Sequence, residues 1–164
     1  MLGSLDQVAT GQESQLFENY IRGLYERWRE ELEFPDSAEY RRHGISSYIN
    51  EEQFFACIRR FAVSIYENVF VAKAGASVFL EKSPNNSLNA ELILRCFPEA
   101  KFIHVIRDGR DVAASMLAAR SGWGKIWAPR YGERAAIEWR DAVRSSRRLR
   151  ELTERYIEVR YEEL

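Results

Sequence analysis

Three side chains in this 164-residue chain stand where a parallel sheet presents its residues to an anion. Lys82 ends the run VFLEK (78–82), Arg107 ends KFIHVIR (101–107), and Ser115 follows Arg107 by eight residues, two turns into the segment beyond it. A guanidinium offers phosphate a planar fork of donors, and a serine hydroxyl adds one more. A helix start supplies backbone N–H groups and the positive end of its dipole. In an open parallel sheet, ligands bind beyond the carboxyl ends of the strands. The three positions together predict a phosphate site. Each has a plainer reading too: Arg107 can pair with Asp111, Ser115 is small enough for any helix, and Lys82 can lie along the apolar surface at a strand end.

The elements that must carry these residues alternate. Gln7–Thr10 reads as a short strand. From Glu13 to Leu32, apolar residues at 16, 17, 20, 24, 28 and 32 mark one helical face, closed by Pro35 and Asp36. Residues 36–50 read as a polar loop. Phe54, Ile58, Phe61, Ala62, Ile65 and Val69 trace a second helix to about residue 74, where Gly75 supplies the positive φ of a C-cap. After the strand Val78–Lys82, Ser83 stands as an N-cap with Pro84 at the first helical position, and Leu88, Leu92, Ile93 and Phe97 form the buried side. Lys101–Arg107 reads as a buried parallel strand. Asp108 and Asp111 fit the N-cap and first turn of a helix running to about residue 119. A loop at 121–131 with Trp123 and Trp127, an Arg-rich helix at 133–155 and a strand Tyr156–Tyr161 complete the chain. Strands separated by helices predict an α/β fold: one parallel sheet flanked by helices, in a single domain spanning 1–164.

Composition narrows the classes. With 46% hydrophobic and 30% charged residues and a net charge of −1, the chain is neither disordered nor fibrous. The charge is split: residues 1–100 hold 10 basic and 15 acidic side chains, and residues 101–164 hold 14 and 10. No apolar run approaches the ~18 residues of a membrane span, and residues 1–15 do not read as a secretory signal. Cys57, Cys96, His43 and His104 lack metal-ligand spacing, so no metal site is expected. The stripe Arg140, Arg144, Arg147 and Arg148 shares a helix face, but a pI near 6.2 and intervening acids argue against nucleic acid.

Residues 79–116, FLEKSPNNSLNAELILRCFPEAKFIHVIRDGRDVAASM, resemble the centre of sulfotransferases that use 3'-phosphoadenosine 5'-phosphosulfate (PAPS), in particular the tyrosylprotein and bacterial branch. The opening MLGSLDQVATGQES is similar to the segment that leads to that family's G-x-E-[ST] motif, and YIEVRYEEL resembles its Tyr-Glu-x-Leu ending. The resemblance implies a P-loop NTPase-like fold and sulfonate transfer from PAPS, without metal, to a hydroxyl of a peptide tyrosine, a sugar or a small molecule. It implies that Arg107 and Ser115 bind the 3'-phosphate, with Tyr161 near the nucleotide. Lys82 stabilises charge on the departing phosphate, and Glu13 is the general base. An acid at the position of Glu13 also suits a helix start for its dipole alone. Glu81 is a weaker base candidate, because adjacent strand residues point to opposite faces. Trp123 and Trp127 would lie near acceptor or adenine, whereas Trp139 reads as packing.

One family feature has no counterpart here: the Pro-x-Ser-Gly-Thr-Thr loop that cradles the 5'-phosphosulfate. The sequence therefore reads as an internal piece of a longer sulfotransferase, lacking the first strand and that loop and expected to be inactive alone. Two alternatives stand beside this reading, a P-loop kinase-like phosphotransferase and a non-catalytic nucleotide-binding or interaction module.

Overall fold

A computed structural model describes residues 2–34 and 43–164. They fall into two compact units, Met1–Pro98 and Glu99–Leu164. Each contains one pair of parallel strands joined through helices, so the α/β character holds, but among the described residues the single sheet expected is two separate two-stranded sheets.

In the first unit, β1 (Val8–Thr10) pairs with β2 (Val78–Leu80), with Val8 opposite Val78 and Thr10 opposite Leu80. Between them run α1 (Arg22–Glu33) and α2 (Glu51–Val71), and α3 (Ala90–Cys96) follows β2. A wide π-type turn, Phe17–Ile21, precedes α1. It corrects the expected helix face. Phe17, Ile21 and Trp28 are buried, whereas Tyr20 and Leu24 are about half exposed and Leu32 is exposed as well. Steps of three and four residues fit two neighbouring stripes equally well, and the extra residue in a π turn shifts the phase toward Ile21. The core gathers Leu16, Phe17, Ile21, Trp28, Phe54, Ile58, Ala62, Leu92 and Cys96. Trp28 stacks on Phe54 with ring centroids 4.5 Å apart.

The start of α2 is a capping box: the Asn50 side chain accepts from the Gln53 amide and the Gln53 side chain accepts from the Asn50 amide, both at 2.9 Å. The helix stops at Val71, short of the expected end near residue 74, and Phe61 and Ile65 are exposed. Gly75 does take a positive φ of 87°, in a turn closed by the Ala76 amide on the Lys73 carbonyl. Lys73 itself donates to the carbonyls of Leu5 (2.6 Å) and Val8 (2.8 Å), which ties the end of α2 to the start of β1. Pro84 opens a 3-10 turn, Pro84–Asn89, as anticipated, although Leu88 is exposed. Of the loop expected at 36–50, residues 36–42 lie outside the described residues. The remainder holds a 3-10 turn, Ile45–Ser47.

In the second unit, β3 (Phe102–Ile106) pairs with β4 (Tyr156–Arg160), with Ile106 opposite Arg160. The expected fully buried strand is half right: Ile106 is buried, whereas Ile103 and Val105 are exposed. Between the strands lie α4 (Gly109–Arg120), α5 (Gly132–Arg147) and α6 (Leu149–Leu152). Asp108 caps α4 as expected, its carboxylate accepting from the Arg110 amide at 2.8 Å. The helix anticipated over 133–155 breaks at Arg148 and ends at Leu152. Arg147, from the arginine stripe, is about half exposed, as a solvated face implies, but it is also ion-paired. It grips Glu158 on β4 through two bonds of 3.0 and 2.9 Å, and Arg150 adds a third at 2.6 Å. Tyr156 donates to the same carboxylate (3.1 Å) and meets His104 Nδ1 at 2.7 Å.

Candidate active site

Parallel pairing delivers the carboxyl ends of both partners to the same edge. Because Thr10 lies opposite Leu80, the residues after β1 and those after β2 emerge side by side. There Lys82 donates to the carboxylate of Glu13. Both side chains reach solvent, Lys82 more than Glu13.

Beneath this ion pair lies a second acid. The Glu81 carboxylate collects hydrogen bonds from Ser14 (2.7 Å), Ser83 (2.7 Å) and Asn86. Ser83 is thus not the side-chain cap of the following turn. Its hydroxyl is committed to Glu81 and accepts from the Gln15 amide at 3.2 Å. Tyr66 stands 3.4 Å from Ser14. Burial, with a further contribution from the nearby Glu81 charge, pushes the Tyr66 hydroxyl up to about 12, against the relief of its bond to Ser14.

The same logic applies in the second unit. Ile106 lies opposite Arg160, so Arg107 and Tyr161 are the next residues out. The Arg107 guanidinium lies over the Tyr161 ring, 5.0 Å from its centroid, with Asp111 3.8 Å away. Glu162 accepts from the Asp108 amide at 2.7 Å, which fastens the residues after β4 to the start of α4. Trp139 on α5 donates to the Arg107 carbonyl at 3.2 Å and packs against Gly109. A concavity of about 410 Å³ opens beside it, lined by Asp108, Gly109, Arg110, Ala113, Ala136 and Trp139. Ser115 is exposed on α4. Glu13 and Lys82 therefore meet in the first unit, and Arg107 and Tyr161 in the second.

The model of the sulfotransferase family matches residues 1–164. The chain belongs to the sulfotransferase family. Comparison with curated proteins and with solved structures returned no significant match. Membership in this family points to sulfonate transfer.

Two further arginines of this sulfotransferase are held by local partners. Arg110 folds back on Asp108, whose carboxyl it holds down at about 2. Arg120 donates to the Ala128 carbonyl at 2.7 Å and thereby shapes the 121–131 loop. On that loop Trp123 and Trp127 lie 5.1 Å apart and are exposed. The role of Glu81 as a hydrogen-bond hub was missed. The signal for it was a serine directly after each member of the Glu13 and Lys82 pair. Among the described residues, no group of three or more His, Cys, Asp or Glu side chains is arranged to hold a metal ion, and no helix is long and apolar enough to cross a membrane.

Proposed function

We propose that this sulfotransferase moves the sulfonate group of PAPS to an acceptor hydroxyl by in-line displacement. The acceptor oxygen attacks sulfur, and its proton passes to Glu13. The bond from sulfur to the bridging phosphate oxygen breaks, and its electron pair leaves with adenosine 3',5'-bisphosphate. Lys82 neutralises the charge that develops on that phosphate, the kind of electrostatic help that dominates many enzymatic barriers. Arg107 and Ser115 hold the 3'-phosphate, and Tyr161 lies against the nucleotide. The acceptor classes are a peptide tyrosine, a sugar and a small-molecule hydroxyl.

The observation that best supports this reading is the meeting of Glu13 with Lys82 at the ends of two paired strands. A base and a leaving-group cation must flank the same sulfonate, and this pairing brings an acid and an amine within reach of one such group. An arriving phosphosulfate competes for Lys82 and frees Glu13 to accept a proton.

Calorimetric titration with adenosine 3',5'-bisphosphate and with ATP tests the assignment. The bisphosphate is expected to bind in preference to ATP. Arg107→Ala is expected to weaken it by about 10- to 150-fold, the equivalent of ~1.5–3 kcal/mol for hydrogen bonds to a charged group. A preference for ATP, or binding unchanged in Arg107→Ala, would overturn it.

A further inference from the structure

We infer that Glu81 is the positioning residue of this site, clamping the chain after Glu13 to the chain after Lys82 so that those two side chains face each other. The inference rests on the roles proposed for Glu13 and Lys82.

The two reacting side chains do not fix their own positions. They are long and solvent-exposed, and an ion pair of that kind contributes little to order. The order comes from underneath. Ser14 follows Glu13 and Ser83 follows Lys82, and both hydroxyls donate to the same oxygen of Glu81 at 2.7 Å, while Asn86 donates to the other. Hydrogen bonds to a carboxylate are roughly twice as strong as those between neutral groups. Each serine has a single proton, so donation to Glu81 leaves its oxygen to accept. The Leu16 amide uses Ser14 Oγ and the Gln15 amide uses Ser83 Oγ, both at 3.2 Å. One carboxylate thereby orients two hydroxyls, which in turn anchor two backbone amides. Gln15 completes the clamp at φ 48°, in the left-handed region. A non-glycine residue stays there only where its surroundings over-determine the conformation. Lys82 donates to Glu13 while Glu81 accepts from Ser14, Ser83 and Asn86, so the clamp and the ion pair use separate acceptors.

The test needs no turnover. The four lysines, Lys73, Lys82, Lys101 and Lys125, are reductively methylated with 13C, which preserves their charge, and the Lys82 signal is assigned by its loss in Lys82→Arg. With Glu81 intact, Glu13→Gln is expected to shift the Lys82 resonance. In a Glu81→Ala background that response is expected to vanish. In Glu81→Gln it is expected to survive, because an amide oxygen still accepts from both serines. Should Glu81→Ala fail to fold, Ser14→Ala, which removes one arm of the clamp, is expected to weaken the response. An undiminished response in Glu81→Ala, or in Ser14→Ala where that variant stands in, overturns the positioning role alone. A Lys82 signal indifferent to Glu13→Gln with Glu81 intact overturns the pairing itself, and this inference with it.

Discussion

Glu158→Gln is expected to destabilise the second unit by an amount that depends on pH in a defined direction. Hydrogen bonding by Arg147, helped by Tyr156 and Arg150, pulls the Glu158 carboxyl from 4.5 down to about 2. Unscreened, a displacement of that size corresponds to about 3 kcal/mol. The Glu158 side chain is 20% exposed, but its partners Arg147 and Arg150 are 46% and 49% exposed. Solvent therefore reaches the charges and reduces the contribution to roughly 1–2 kcal/mol. The folded pKa lies below the unfolded one, so the unfolded chain binds more protons in the interval between them. The stabilisation is complete above 4.5, fades as pH falls and is gone below about 2. Urea unfolding of the wild type and Glu158→Gln, followed by circular dichroism, measures the gap. At neutral pH the variant is expected to be less stable by roughly 1–2 kcal/mol, or about 2–4 °C in Tm for each kcal/mol. The gap is expected to narrow toward pH 2 and in high salt. An equal gap at neutral and strongly acidic pH would refute the ion-pair account and leave packing as the cause.

Two further substitutions and labels probe the packing around the site. A Cβ at Gly109 would stand 2.9–3.1 Å from the Trp139 ring, so Gly109→Ala is expected to cost about 1–3 kcal/mol through overpacking. Gly122→Ala, which meets no neighbouring atom, serves as the control. NMR of the Trp139 indole N–H, which donates to Arg107, reports the displacement directly. Thiol titration distinguishes the cysteines: exposed Cys57 is expected to react at once. Cys96 is buried, and burial pushes its thiol up to about 12, so it is expected to react only after unfolding. Two fast thiols in the folded chain would contradict the packing of α3 in the core.

What was legible in the sequence had a short-range cause. Asp108 caps α4 because its carboxylate reaches an amide two residues on, and Pro84 opens its turn because its φ is already set. The helix face at 16–32 was not legible, because a π turn redistributes residues that satisfy two stripes equally. Nor was the break at Arg148, on either side of which Arg147 and Arg150 pair with Glu158 of β4, contacts that helical periodicity does not encode. The site shows both behaviours. Parallel pairing makes the residues beyond two strand ends neighbours in space; Arg107 directly follows β3, whereas the strand expected at 78–82 stops at Leu80, two residues short of Lys82. Glu81 lies one residue beyond β2, and its carboxylate is taken up by Ser14, Ser83 and Asn86. Of its serine partners, Ser83 is two residues on, but Ser14 is 67 residues away, and no local pattern connects it to Glu81. Two consecutive charged residues just beyond β2 thus have separate partners: exposed Lys82 donates to Glu13, and Glu81 accepts from Ser14 and Ser83, a division that underlies the positioning role proposed for Glu81. On this reading, substitutions at Glu81 change the geometry of the reaction without touching the reacting atoms.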